Sequence, residues 1–258
     1  MPSRMTGRVA LVTGGGGGIG EATGRLFAEE GAAVALVDSD QAAVEAAAAG
    51  IEKAVSGARV SAITADLSVE AEAQRVVDAA VARFGALHTL VNVAGVRVYV
   101  PLAEAHAKDW EFILGVNLLA TAYCCKAALP ALRQCGRGTI VNISSLYGVI
   151  GRSGMGQYDT TKAAVLGLTR ALAVEEAPHG ILVNAVCPGG TITPYHIRRA
   201  ADKGVCEADL RAERKGENLL GRWAEPREVA FPILFLACDE SSYITGATLM
   251  VDAGKSIL

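Results

Sequence analysis

Tyr158 and Lys162 stand four residues apart in Gly156-Gln157-Tyr158-Asp159-Thr160-Thr161-Lys162. On a helix that spacing puts both side chains on one face, one turn from each other. A free phenol ionises near about pH 10 and exchanges protons poorly at neutral pH. A neighbouring ammonium favours the phenolate, and about 3–4 kcal/mol of such preference would bring the tyrosine into the range of general acid–base chemistry. Taken alone, the spacing equally fits one packing aromatic and one solvated charge. The rest of the chain must decide.

A second signal lies near the start. The apolar run Val9-Ala10-Leu11-Val12 leads into Thr13-Gly14-Gly15-Gly16-Gly17-Gly18-Ile19-Gly20, and a helical pattern opens over Glu21 to Glu30. Backbone N–H groups at a helix N-terminus attract anions, and glycines let a pyrophosphate approach closely. Two registers fit: Gly-x-Gly-x-x-Gly through Gly15, Gly17 and Gly20, or Thr-Gly-x-x-x-Gly-x-Gly through Thr13, Gly14, Gly18 and Gly20. A flexible turn is the plainer alternative, but a strand before and a helix after favour a dinucleotide. Asp38 closes the next apolar run, about 20 residues on, where a carboxylate accepts from a ribose 2′-OH and repels a 2′-phosphate. No Lys or Arg lies between Gly14 and Gly18 or directly after Asp38. The residues therefore favour NAD over NADP. A cap on the following helix is the competing role for Asp38, and Asp40 is placed to take it.

These groups need a scaffold. Short apolar runs at 9–12, 33–37, 60–65, 87–91, 139–143, 181–186 and 248–251 read as strands. They alternate with helical patterns over 21–30, 41–55, 69–84, 107–134, 157–177 and 226–238, with bends expected at Pro130 and Pro232. Such alternation implies right-handed βαβ crossovers and a doubly wound, Rossmann-like parallel sheet of about seven strands with helices on both faces. Asp66-Leu67, Asn92 to Gly95, Ser144-Ser145 and Pro188-Gly189 all fall at carboxyl ends of predicted strands, where open α/β sheets bind ligands. Each alone also serves as a cap or turn.

Composition narrows the class. A chain of 258 residues, 51% hydrophobic, can bury one sizeable core, and no linker divides residues 1–258. A formal net charge of −3, dispersed, gives no reason to expect nucleic acid. The N-terminus lacks the order of a signal peptide, and no uninterrupted apolar run reaches the roughly 18 residues of a membrane span. The six cysteines lack metal-ligand spacing. A soluble, cytoplasmic protein of one domain, without metal or membrane partner, is expected.

In sum these motifs resemble the short-chain dehydrogenase/reductase family over essentially the whole chain. The matching residues are Thr13-Gly14-x-x-x-Gly18-Ile19-Gly20, Asp66-Leu67, Asn92-x-Ala94-Gly95, Asn117, Ser145, Tyr158-x-x-x-Lys162, Pro188-Gly189-x-x-x-Thr193, and Ile244-Thr245-Gly246 through Val251-Asp252-x-Gly254. The resemblance selects the register of Gly14, Gly18 and Gly20, with Gly16 in the same turn. It implies Tyr158 as the acid–base residue, Lys162 lowering its pKa and holding the nicotinamide ribose, and Ser145 polarising the substrate oxygen. It further implies that Asn117 holds a water linking Lys162 to solvent, that Thr193 holds the carboxamide, and that Thr191 lies near the ring. Asn117 also suits a polar residue satisfying a helix irregularity. Three positions depart from the family pattern: Val93 replaces an Asn, Thr161 a common Ser, and Ala253 a frequent Gly.

The implied activity is hydride transfer between NAD and a small secondary alcohol or ketone. The segment 190–220 is expected to be a substrate lid. His196, Arg198, Arg199 and Lys203 there, with Arg97, Tyr99 and Arg152 on other loops, could receive an anionic substituent or form a solvated face. Cys187 and Met155 are expected as apolar wall. An NADP-linked 3-oxoacyl reductase and a catalytically silent NAD-binding regulator are the alternatives. Asp38 speaks against the first and the intact Ser145/Tyr158/Lys162/Asn117 set against the second. The resemblance also implies a homo-oligomer, tetramer or dimer, through long central helices.

Overall fold

Alternation of apolar residues sorts each strand between two helical layers. In the computed structural model, which describes residues 3–212 and 216–258, the strands are β1 (Val9–Thr13), β2 (Ala33–Asp38), β3 (Arg59–Thr64), β4 (Thr89–Asn92), β5 (Thr139–Ile143), β6 (Leu182–Pro188) and β7 (Thr248–Val251). They form one seven-stranded parallel sheet in the order β3-β2-β1-β4-β5-β6-β7. Ala10 and Val12 point into one face, with α1 (Gly18–Glu29), α2 (Gln41–Ala54) and α9 (Pro226–Ala237). Val9 and Leu11 point into the other, with α3 (Glu70–Phe84), α5 (Ala120–Gln134) and α6 (Gly156–Glu176). Strand order reverses between β1 and β4, and the crevice above their carboxyl ends is where such sheets take ligands.

The predicted helix over 107–134 is continuous but irregular. It comprises α4 (Ala107–Leu114), a π-turn at Gly115–Leu119, and α5. The irregularity therefore falls at Asn117 and not at Pro130. Pro130 and Lys126, whose carbonyl loses its amide partner, both lie on the exposed side, where water can satisfy that group. By length and composition this 28-residue stretch could cross a membrane, but Ala120, Cys124, Cys125, Ala128 and Leu132 pack on the sheet. Helix α9 likewise runs through Pro232. Helix α1 begins at Gly18, earlier than the pattern from Glu21 suggests, because the glycine run itself supplies its first turn.

After β6 the chain forms α7 (Pro194–Ala201) and α8 (Glu207–Ala212). Ile192, Ala200, Leu210 and Trp223 make a small core of their own, and Trp223 Nε1 donates to the Leu210 carbonyl at 2.7 Å. This is the segment expected as a lid; its part 213–215 lies outside the described residues.

Candidate active site

The turn between β1 and α1 forms one half of the site. Gly14 and Gly18 have φ of 66° and 56°, a region that L side chains resist. A Cβ at Gly20 would lie 2.0 Å from the Gly14 carbonyl oxygen, whereas one at Gly17 would meet nothing closer than 3.7 Å. Glycine is thus demanded at Gly14, Gly18 and Gly20; a Cβ at Gly15 would also crowd Leu36 at 2.8 Å, and the room at Gly17 is what speaks against the other register. Gly17, at the N-cap, offers α1 no side-chain cap, so N–H groups of the first turn are left for a ligand. Gly16 N–H donates to Asp38 Oδ2 at 2.9 Å, fixing the carboxylate beside the turn. The competing capping role goes to Asp40, which accepts from Ala43 N–H at 3.0 Å.

A cavity of about 830 Å³ opens over this turn, with Asp38, Asp66, Leu67, Ala94 and Gly95 in its wall. Thr13 Oγ1 accepts from the Val93 and Ala94 N–H groups at 3.0 and 3.1 Å, tying the end of β4 to β1. Asp66 Oδ1 accepts from the Ser68 N–H and hydroxyl at 3.0 and 2.7 Å. Asn92 departs from its expected place. Its side chain is buried, donating to Asn142 Oδ1 at 2.8 Å and Cys125 Sγ at 3.3 Å, so it braces the sheet and does not line the cavity. The strand pleat turns it toward α5 and leaves the ligand face to Val93–Gly95.

The second cavity, about 390 Å³, meets the first along Ile19, Val93, Gly95, Val96, Phe112 and Thr193. It brings together Ser145, Tyr158, Lys162, Pro188, Gly189 and Thr191 from three separate segments. Gly148 makes this possible, because a Cβ there would stand 2.7 Å from Ser144 Oγ and 2.9 Å from Lys162 backbone. Ser144 Oγ donates to the Lys162 carbonyl at 2.7 Å, and Lys162 Nζ donates to the Ile143 carbonyl at 2.9 Å. The Ser145 hydroxyl accepts from Tyr147 N–H at 3.2 Å. Thr193 Oγ1 lies 2.8 Å from His196 Nδ1 at the start of α7.

Asn117 has a positioning geometry. Its amide accepts from Val96 N–H at 2.7 Å, donates to the Val96 carbonyl at 3.0 Å, and donates to Thr161 Oγ1 at 3.1 Å. It pins the loop after β4 beside Lys162; a Cβ at Gly95 would come within 3.2 Å of the Lys162 ammonium and 3.4 Å of Asn117 Oδ1. Its backbone carbonyl accepts from the Thr121 hydroxyl at 3.2 Å. The π-turn and the polar contact are one feature, since the bulge carries the amide inward.

Charge converges on Tyr158. Burial opposes ionisation of the phenol, but Lys162, Arg97, a hydrogen bond with Ser145 and Arg152 together hold its pKa below the usual phenol value. The Arg152, Arg97 and Lys162 charges lie 5.1, 5.7 and 5.8 Å from the ring centroid. Burial lowers the pKa of Lys162 and Arg97 adds to that, while Tyr158 works against both.

The loop cations separate in space. Arg97 and Arg152 reach Tyr158, Arg198 lines the larger cavity, and Arg199 stacks over Tyr99 at 3.7 Å. Lys203 is exposed. Cys187 and Met155 lie behind the wall, in buried clusters with Leu166 and with Tyr158 itself. Phe112 and Lys255 carry no motif in the sequence, yet Phe112 lines both larger cavities and Lys255 a small one beyond Ser145. Phe112 reads as an ordinary helix residue, and only the fold turns it to the site. Among the departures, Thr161 Oγ1 donates to the Tyr158 carbonyl at 2.8 Å, and Ala253 adopts φ of 54°, a conformation suited to glycine.

A family model described as enoyl-(acyl carrier protein) reductase matches residues 14–256. The chain is 38% identical to a short chain dehydrogenase/reductase of Aspergillus oryzae, covering 98% of this chain and 97% of that one. It is 40% identical to cis-4-hydroxycyclohexanecarboxylate dehydrogenase of Sinomonas cyclohexanicum, covering 96% of each. The solved structure of L-sorbose reductase from Gluconobacter frateurii, complexed with NADPH and L-sorbose, superposes with a TM-score of 0.95 over all of both chains at 28% identity.

Proposed function

The chain belongs to the short-chain dehydrogenase/reductase family of oxidoreductases, and from that premise we propose that it is an NAD-dependent dehydrogenase of a small secondary alcohol, or reductase of the matching ketone. The observation that carries the reading is the buried Tyr158 phenol, held by the cations Lys162, Arg97 and Arg152 and the Ser145 hydroxyl at the mouth of a nucleotide-sized crevice.

The crevice fits a dinucleotide. Glycines stand where side chains would fill it, α1 turns open N–H groups toward it, and the carboxylate of Asp38 stands where a ribose would lie. A 2′-phosphate would meet that carboxylate. Arg198, the one base in the cavity wall among the described residues, lies by Thr193 and Pro194, which flank Gly17 and Gly18. That favours contact with a pyrophosphate. When bound, a nicotinamide supplies hydride acceptance or donation at C4.

The chain's residues do the rest. In oxidation, Tyr158 as phenolate accepts the hydroxyl proton, and Ser145 donates a hydrogen bond to the oxygen as it becomes a carbonyl. Lys162 favours the phenolate form and would donate to the ribose hydroxyls. Asn117, gripping Val96, fixes the loop beside Lys162. In reduction the same groups run in reverse. Tyr158→Phe is expected to lower kcat at least about 100-fold while NAD binding, read by fluorescence titration, changes little. Retention of more than a small fraction of turnover would remove Tyr158 from the mechanism.

A further inference from the structure

Among the described residues no carboxylate lines the 390 Å³ cavity; its charged groups are Lys162 and Arg97. Lys162 sits beneath Tyr158 on the Ile143 carbonyl. Arg97 is half-buried, and among the described residues no carboxylate forms an ion pair with it, although it shares the small pocket beyond Ser145 with Glu217 and Asp252. Its Nη1 donates to His196 Nε2, so His196 Nδ1 carries the proton that goes to Thr193 Oγ1. Its guanidinium carbon lies 5.7 Å from the centre of the Tyr158 ring and 5.6 Å from that of Tyr195. Arg152, by contrast, is neutralised by Asp159 at 3.1 Å. Of the two carboxylates that share this small pocket with Arg97, Asp252 accepts from the Gly254 and Ser256 N–H groups at 3.1 and 2.7 Å, and Glu217 is not free. A guanidinium withdrawn from water without a carboxylate partner is costly unless an anion joins it, and its planar fork matches a carboxylate.

We propose that Arg97 is the carboxylate anchor of the substrate, and that the substrate is a 2-hydroxy or 3-hydroxy acid, or the matching oxo acid. The short tether follows from geometry: the guanidinium lies 5.7 Å from the ring of the tyrosine that must meet the carbinol oxygen, in one cavity, so carboxylate and carbinol are close neighbours. The inference rests on the dehydrogenase reading. In the reaction the carbinol carbon loses its hydrogen as hydride to NAD, the O–H proton passes to Tyr158, and an oxo acid and NADH remain.

The test reads binding, apart from turnover. Wild-type, Tyr158→Phe, Arg97→Gln and Arg97→Lys proteins, each saturated with NADH, are titrated calorimetrically with 2-oxobutanoate, 3-oxobutanoate and 2-oxooctanoate and with their methyl esters. At least one acid should bind about tenfold or more tighter than its ester. That preference should survive in Tyr158→Phe, vanish in Arg97→Gln, and be intermediate in Arg97→Lys. Equal binding of acids and esters, undiminished acid binding in Arg97→Gln, or no acid binding overturns the inference. The acid–ester comparison in wild type stands even if a variant misfolds. Acid binding without Tyr158-dependent turnover would defeat the dehydrogenase reading alone; Tyr158-dependent turnover of neutral alcohols without acid preference would defeat only this one.

Discussion

Burial is the strongest single influence on Tyr158 and it pushes the phenol toward its neutral form, yet the net effect of the surroundings is the reverse. Three cations and one hydroxyl outweigh desolvation because they act at close range in a site with little water to screen them. The sign for activity follows. A depressed phenol pKa means that phenolate persists below about pH 10, and oxidation is lost as pH falls through the lowered value. Arg97→Gln removes one of those cations, so the acid limb of kcat/KM for a neutral alcohol should move to higher pH. The measurement is a pH–rate profile at saturating NAD, and an unmoved limb would mean that Arg97 does not act on the ionising group. The spacing of Tyr158 and Lys162 was visible in the chain. The contribution of Arg97 was not, because it lies far from Tyr158 in the chain and nothing in the sequence sets it apart from Arg199, which stacks over Tyr99 instead.

At the level of elements, the turn before α1 and the π-turn before α5 do the positioning. Five consecutive glycines look interchangeable in sequence, but the backbone makes them unequal. Gly20→Ala would drive a Cβ onto the Gly14 carbonyl, a backbone-to-backbone collision that no rotamer relieves. It should cost more than about 3 kcal/mol in urea unfolding, whereas Gly17→Ala should stay within about 1 kcal/mol. Equal effects would place the demand for glycine elsewhere in the turn. The helix over 107–134 teaches a related lesson. Proline marked Pro130 as the place to bend, yet the exposed side of a helix tolerates the lost hydrogen bond, and the true irregularity serves Asn117.

For the whole molecule, the order of the sheet decides where the two halves of the site meet. β1 and β4 are neighbours through the 10↔89 to 13↔92 register, which sets the glycine turn against the Val93–Gly95 loop. β5 and β6 then bring Ser145 and Gly189 to the same edge. A ligand bridging both halves binds only the folded chain. NAD at about 100 times its Kd should therefore add about 2.7 kcal/mol of stability and raise Tm by roughly 5–10 °C. NADP at the same concentration should move Tm by about 1 °C or less, with Asp38→Ala narrowing the gap. Equal shifts from the two cofactors in a thermal melt would overturn the preference for NAD.

The sequence by itself determined the alternating strands and helices, the parallel sheet, and the types and spacing of the candidate site residues. Those depend on local periodicity, on glycine at a turn, and on spacing within one helix, all of which act over a few residues. Only the tertiary structure decided that Asn92 braces the sheet, that Asn117 grips Val96, that Phe112 faces the crevice, and that Arg97 stands near Tyr158 with no ion-paired carboxylate among the described residues. Each of these turns on which segments, distant in the chain, share one sheet edge, and that is set by packing across the whole core.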